Sequence, residues 1–311
     1  MKVCLNRQTF CYRIGGVRVK TIQIIGAGAV GMLMATYLVE QGNEVHLICR
    51  RQEQVNQLLK NGLQRENLDG TYSTFFVQAK LEIINDADLT IVAVKSNEVE
   101  ALLPALPIHT PLLFVQNGLA HYLKLKSRNL PNLAFGSAQF GALKHHDTFV
   151  SHRGFGPLKI AYFKCEHSFL EELLSQEGDF VFKLEEHALN MLIEKAIINS
   201  LINPITALLQ IPNGQLIENE ETYRLVQSLH EELMHVFPQQ CPSFSVVKEL
   251  CNRTKNNRSS MLQDHLALKV SEAPAILGAL IEQAQLNEKK TPILMTIYQL
   301  VLAKEKQGGF Q

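Results

Sequence analysis

Three glycines, Gly26, Gly28 and Gly31, have the spacing G-x-G-x-x-G within Ile22-Gln-Ile-Ile-Gly-Ala-Gly-Ala-Val-Gly31. Ile22 to Ile25 reads as a buried strand, and Met32 to Glu40 reads as a helix that Gly42 ends. In that setting Gly26 permits a tight turn, Gly28 lets the backbone approach a pyrophosphate, and Gly31 lets the helix pack closely on the strand. The helix start adds free N–H groups and the positive end of a dipole, both suited to phosphate. With Ala27, Ala29 and Val30 between the glycines, residues 26–31 are expected to bind a dinucleotide. About twenty residues further on, where an NAD site carries Asp or Glu, the chain has Arg50 and Arg51. A guanidinium suits a 2′-phosphate, which a carboxylate would repel. NADPH/NADP is therefore the expected cofactor, with Arg50 on the phosphate and Arg51 as its solvated neighbour. The alternative is that Arg50 only ends a strand and faces water.

A second group is spaced for a helix face. Lys195, Asn199 and Asn203 recur at i, i+4 and i+8 among Leu192, Ile193, Ala196, Ile197, Ile198, Leu201 and Ile202. Asparagine is a poor helix former, and a buried lysine is costly without a partner. The stripe asks for a ligand or a nearby carboxylate, unless the helix simply has one wet face. A third cluster is Asn257-Arg-Ser-Ser260-Met-Leu-Gln-Asp264, followed by Glu272. Ser259 or Ser260 opens a helix there, either as an N-cap or as a holder of a substrate carboxylate. Taken alone, Glu272 reads first as an exposed helix charge.

These groups need a frame. Strands are expected at 21–25, Glu44–Cys49, Leu89–Val94, Pro111–Gln116 and 132–140, with helices at 28–41, up to Asn61, and at 97–105. Residues 63–84 read as short strands with a hairpin signal at Asp69-Gly70. Thr148–Phe163, turning at Gly154–Pro157, reads as an antiparallel hairpin, followed by a helix near 168–177 and a strand near 179–184. Beyond that the period is helical, over 187–203 (kinked or stopped by Pro204), 215–237, 243–257, 259–284 and 292–306. The pattern predicts an α/β fold: a Rossmann-type doubly wound sheet over 21–185, then an all-α domain over 186–311, with residues 1–20 as an N-terminal lead. Gly26–Gly31, Arg50, Lys95 and Asn117 all fall at the carboxyl ends of strands, where such sheets bind ligands.

The bulk composition excludes other classes. Lys+Arg and Asp+Glu are both 30 in 311 residues, which argues against nucleic acid or a membrane surface as partner. Six scattered cysteines without C-x-x-C point to reduced cytoplasmic thiols and no metal site. No uninterrupted apolar run reaches membrane-spanning length, and the lead has no apolar signal core. The lead reads as a disordered segment or an added edge.

Taken together these residues resemble the ketopantoate reductase (2-dehydropantoate 2-reductase) family over about 21–304. The marks are Gly26–Gly31, Val94-Lys95, Gln116-Asn117-Gly118, Lys195-x3-Asn199-x3-Asn203-Pro204, Pro212-Asn213-Gly214 and Ser259-Ser-Met-Leu-Gln-Asp264 with Glu272. The resemblance implies an NADPH-dependent reduction of a 2-keto acid in pantothenate synthesis. It makes Lys195 the proton donor and places Asn199 and Asn203 in the substrate pocket. It sets Ser260 on the substrate carboxylate with Asn257 nearby, and Glu272 on the substrate hydroxyl, paired with the lysine. Lys95 and Asn117 would meet the nicotinamide ribose and neighbouring substrate atoms, and Arg50 the 2′-phosphate. A homodimer is compatible with this reading. After Glu272 the family commonly runs through Ile-Asp and then Asn-Gly, whereas this chain reads Ala273-Pro-Ala-Ile-Leu-Gly278. Two alternatives stand beside the expectation: a reductase of another branched 2-keto acid, and a non-catalytic dinucleotide-binding regulator.

Overall fold

The computed structural model describes residues 13–14, 17–18, 20–164, 170 and 180–310. The expected helix near 168–177 and most of the N-terminal lead lie outside the described residues. From the lead, β1 (Arg13–Ile14) and β2 (Val17–Arg18) pair as a small antiparallel ribbon.

The main sheet starts with β3 (Thr21–Ile25), α1 (Ala29–Glu40), β4 (Glu44–Ile48) and α2 (Gln52–Asn61). β5 (Leu63–Glu66) and β6 (Tyr72–Phe75) form the hairpin signalled by Asp69-Gly70, with Glu66 opposite Tyr72. β7 (Gln78–Lys80), β8 (Leu89–Val92), α3 (Val99–Leu102), β9 (Leu112–Phe114), α4 (Ala120–Leu125) and β10 (Leu133–Ala138) complete the parallel part. Its order is β7-β4-β3-β8-β9-β10, the doubly wound order that reverses between β3 and β8. β3, β8 and β9 are buried along almost their whole length, as expected of strands covered on both faces.

The predicted hairpin over Thr148–Phe163 does not form. β11 (Gly141–His146) and β12 (Phe149–Gly154) join β5 and β6 in a separate four-stranded sheet. β13 (Leu158–Lys164) instead runs antiparallel to β10 in the main sheet, and β14 (Phe182–Leu184) lies beside it. Both segments have strand composition, but β12 pairs with its neighbour β11 and with the distant β5, and β13 with β10, rather than with each other. Gly156 sits so close to Gln139 that an added Cβ would be 2.3 Å from its carbonyl oxygen, which fixes the crossing between the two sheets.

After β14 the chain is helical: α5 (Ala188–Leu209), α6 (Gln215–Glu218), α7 (Glu220–Val236), α8 (Phe244–Arg253), α9 (Ser260–Leu266), α10 (Ala279–Leu286) and α11 (Pro292–Gln307). α5 is the hub, packed on β10, β13, α7, α9 and α11. Pro204 does not stop it: the helix runs on to a left-handed Gln210, with Thr206 Oγ1 bonding back to the Ile202 and Asn203 carbonyls one turn on. By length and composition α5 could cross a membrane, contrary to the reading of uninterrupted apolar runs. It is mostly buried inside the protein, as a core helix is.

Two expected helices are broken. Asn219 separates α6 from α7, and its side chain accepts from the Glu221 and Thr222 amides. The predicted helix 259–284 is interrupted after α9, where Leu268 takes a left-handed φ of 52°. It resumes in a single π-turn, Pro274–Gly278, that leads into α10. Pro274 stands in the first turn, where its missing N–H costs nothing, and the Glu272 carbonyl accepts from both Ala275 and Ile276 at 3.0 Å.

Candidate active site

The glycine turn is constrained by its own backbone. Gly26 has φ +116°, and a Cβ at Gly31 would stand 2.0 Å from the Gly26 oxygen. Gly28 caps α1 at φ −84°, and a Cβ there would meet nothing within 4 Å. Its outer face is thus an open cradle at a helix N-terminus, which fits the phosphates of a dinucleotide. The second sheet braces the turn: Lys144 Nζ donates to the Ala27 carbonyl at 3.1 Å and pairs with Asp147 at 3.1 Å.

The two arginines after β4 differ. Arg51 Nη2 is held by both oxygens of Asp147, at 2.6 and 2.7 Å; the half-exposed side chain faces solvent, as expected, and braces the second sheet as well. The Arg50 side chain is 85% exposed, and among the described residues its one polar contact is the half-exposed Glu98, at 3.1 Å. Of the two, Arg50 is the one free to turn toward a phosphate.

Two strand ends reach the helical half. After β8, Lys95 Nζ donates to Asp264 Oδ1 at 3.1 Å and to the Val270 carbonyl at 3.4 Å. Gln116 holds the end of β8 by donating to the Val92 and Val94 carbonyls. After β9, Asn117 Nδ2 donates to Glu272 Oε2 at 3.0 Å. Gly118 (φ +80°) then lies so close to the π-turn that a Cβ would be 2.1 Å from the Ala275 oxygen, while Leu119 donates its amide to that oxygen at 2.8 Å.

On α5, Asn199 and Asn203 are buried, at 9% and 8% exposure, and Lys195 is nearly so. Asn203 Nδ2 reaches Ser260 Oγ at 3.5 Å, the long limit of a hydrogen bond. Among the described residues no hydrogen bond or ion pair reaches Lys195 Nζ. Burial, helped by the Lys159 ammonium on β13 and opposed by Glu194, pushes Lys195 from its ordinary 10.5 to about 8. Lys159 is itself held by Glu194 at 3.1 Å and Glu185 at 3.4 Å.

The opening of α9 is divided between its two serines. Ser259 is the N-cap, accepting from the Leu262 amide at 3.1 Å and bonding Thr206 Oγ1 at 2.7 Å. That leaves Ser260 exposed in the first turn. Asn257 is exposed too, and its carbonyl accepts from the Asn213 amide, which docks the Pro212–Gly214 turn.

Two family models cover most of the chain. "Ketopantoate reductase PanE/ApbA" matches residues 22–164, and "Ketopantoate reductase PanE/ApbA C terminal" matches 188–305. The chain belongs to the ketopantoate reductase PanE/ApbA family. It is 33% identical over 294 residues to a 2-dehydropantoate 2-reductase of Listeria innocua, covering 91% of this chain and 96% of that one. With the Bacillus subtilis enzyme of the same name it shares 32% over 292 residues, 92% and 97% of the two chains. The structure of a probable 2-dehydropantoate 2-reductase from Bacillus subtilis superposes with TM-score 0.77 at 30% identity, over 91% of this chain and 99% of that one. D-mandelate dehydrogenase, solved with NADH and anilino(oxo)acetate, shares the fold at 22% identity and TM-score 0.81, over 94% and 100%.

In this ketopantoate reductase family member one expected contact is replaced. Glu272 makes no ion pair with Lys195; its side-chain partner is Asn117, and the charge that acts on it most is Lys95. Burial raises the Glu272 carboxyl above the usual range, with the Asn117 bond and Lys95 opposing and Asp264 adding to the rise. Asp264 was visible only as part of a motif, and nothing in its spacing announced Lys95 as its partner, 169 positions away.

Proposed function

We propose that this chain reduces 2-dehydropantoate to pantoate with NADPH. The reading rests on one observation above all: a largely buried Lys195, shifted to about 8 and without a hydrogen bond or ion pair among the described residues, on the same helix stripe as two buried asparagines. Bound NADPH supplies the hydride. The glycine turn would hold its pyrophosphate and Arg50 its 2′-phosphate, with Lys95 and Asn117 toward the nicotinamide end. As the keto carbon is reduced, its C=O π pair moves onto oxygen. Lys195 stabilises that alkoxide and gives it the Nζ proton, becoming a neutral amine that water reprotonates. With a value near 8 the lysine is mostly charged at neutral pH, yet its proton is easily given up. Asn199 and Asn203 hold the keto acid within reach of hydride, and Ser260, with Asn257 nearby, faces its carboxylate. Glu272 takes the substrate hydroxyl. In this reading the sheet domain ends near 185, the helical domain carries the acid, and the enzyme works in the cytoplasm.

The test is NADPH oxidation, followed by absorbance, with 2-dehydropantoate and a panel of other 2-keto acids. Rapid turnover confined to 2-dehydropantoate is the expected result. Clear activity on another branched 2-keto acid, with little on this one, would keep the chemistry and move the substrate. The second reading is favoured by Ala273–Gly278, whose π-turn packs on Gly118 where the family commonly carries Asp and Asn.

A further inference from the structure

A buried carboxylate far from the motifs ties the site together. Glu305, on α11, is 6% exposed, and its Oε1 accepts from two sides. One donor is the amide of Ser271, at 3.0 Å, and the other is His265 Nε2, also at 3.0 Å. His265 is 4% exposed, and its Nδ1 has no hydrogen-bond partner among the described residues, so the ring's polar hold is through Nε2, with Phe310 packed edge-on against it. Ser271 passes the constraint on, its Oγ accepting from the Ala273 amide at 3.2 Å. The two residues that Glu305 grips thus flank the site segment. His265 follows Asp264, which holds Lys95. Ser271 precedes Glu272, which holds Asn117. Between them the loop closes on itself through Leu268 N to the His265 carbonyl (3.1 Å) and Lys269 N to the Asp264 carbonyl (2.9 Å).

We propose that Glu305 is a positioning residue for the keto acid site, fixing Glu272 and Asp264 through its joint grip on Ser271 and His265. This rests on the functional reading above, in which Glu272 touches substrate. The physical reason is that a carboxylate accepting two buried donors must keep both, since releasing either leaves a polar group unpaired away from water. The loop 267–271 has no regular structure of its own, and its other ties run through Lys95, Asn117 and Leu119 at the strand ends, so Glu305 is its anchor on the helical side and losing it loosens the Glu272 side chain above β8 and β9. NADPH affinity is carried chiefly by the glycine turn and Arg50, so loosening Lys95 and Asn117 at the nicotinamide end through Asp264 and Glu272 is expected to cost it little.

The experiment compares Glu305→Ala and Glu305→Gln with wild type. The readouts are amide hydrogen exchange over 264–273 in the free protein, NADPH affinity by fluorescence, and KM and kcat for the 2-keto acid the wild type reduces best. In the alanine variant exchange is expected to rise about tenfold and KM about tenfold, with kcat and NADPH affinity within roughly threefold. Glutamine keeps the shape and a carbonyl acceptor, so it is expected to restore exchange and KM to within about threefold of wild type. Raised exchange with unchanged KM would make Glu305 a strut and overturn the proposal. So would unchanged exchange, or a parallel loss of NADPH affinity. If the wild type reduces no 2-keto acid, the functional reading fails separately, and the exchange data alone decide whether Glu305 holds the segment.

Discussion

At the glycine turn backbone meets backbone, with a Cβ on Gly31 landing 2.0 Å from the Gly26 oxygen and one on Gly26 landing 2.8 Å from Ala93. Across α5, α9 and the π-turn, side chains meet instead: Asn203 with Ser260, Asn117 with Glu272, Lys95 with Asp264. The first region tolerates almost no change of shape but asks little of side-chain chemistry. The second tolerates changes of shape and depends on which polar atoms arrive. A backbone-built site should therefore fail by misfolding, and a side-chain-built site by losing chemistry while staying folded.

The largest effect is expected where the backbone is tightest. Gly31→Ala forces a carbon into a carbonyl that cannot move, at a cost of roughly 3 kcal/mol or more, so thermal melts should show a badly destabilised or insoluble protein. Gly28→Ala tests the same turn from its open side. There the melt should be unchanged while NADPH binding weakens about ten- to a hundredfold, as the phosphate cradle fills. If Gly28→Ala unfolds the protein, or binds NADPH normally, the cradle is misplaced.

Lys195→Met breaks the other region. Turnover should fall about a thousandfold while NADPH still binds, and a near-normal rate would remove Lys195 from the chemistry. Wild-type kcat/KM should also decline as pH rises through about 8, the value at which Lys195 loses its proton. Next in size is the arginine pair. Arg50→Ala should weaken NADPH about tenfold and leave NADH unchanged. Arg51→Ala, which frees Asp147 and Lys144 beside Ala27, should weaken both cofactors alike. Equal losses from Arg50→Ala would make that residue structural.

The smallest effect is on stability. Lys195 titrates near 8 in the folded protein, below its ordinary 10.5. Below pH 8 it is charged in both states, and its burial counts fully against folding. Between 8 and 10.5 only the unfolded chain keeps the proton, so this group's contribution improves as pH rises. Lys195→Met should therefore melt about 2–4 °C higher than wild type at pH 7, with the gap closing toward pH 10.

The cofactor half was the more legible because its signals are local. A glycine triplet between an apolar strand and a helix needs nothing distant to declare itself, and the strand ends that carry Arg50, Lys95 and Asn117 follow from short buried runs. The Lys195–Asn199–Asn203 face was legible for the same reason, since helical spacing alone aligns them. Other features were settled by partners far along the chain. Thr148–Phe163 has the composition of a hairpin, but β12 found β5 and β13 found β10. Arg51 became a brace because β11 and its turn bring Asp147 beside it. Glu272 faces Asn117 rather than Lys195 because the left-handed Leu268 breaks the helix before it. Sequence by itself determined the doubly wound sheet, the glycine turn and the lysine stripe, all fixed by periodicity and backbone sterics within a few residues. Only the tertiary structure decided which charges pair, and that α11 reaches back through Glu305 to hold Ser271, because a carboxylate's partner is chosen by packing and not by spacing.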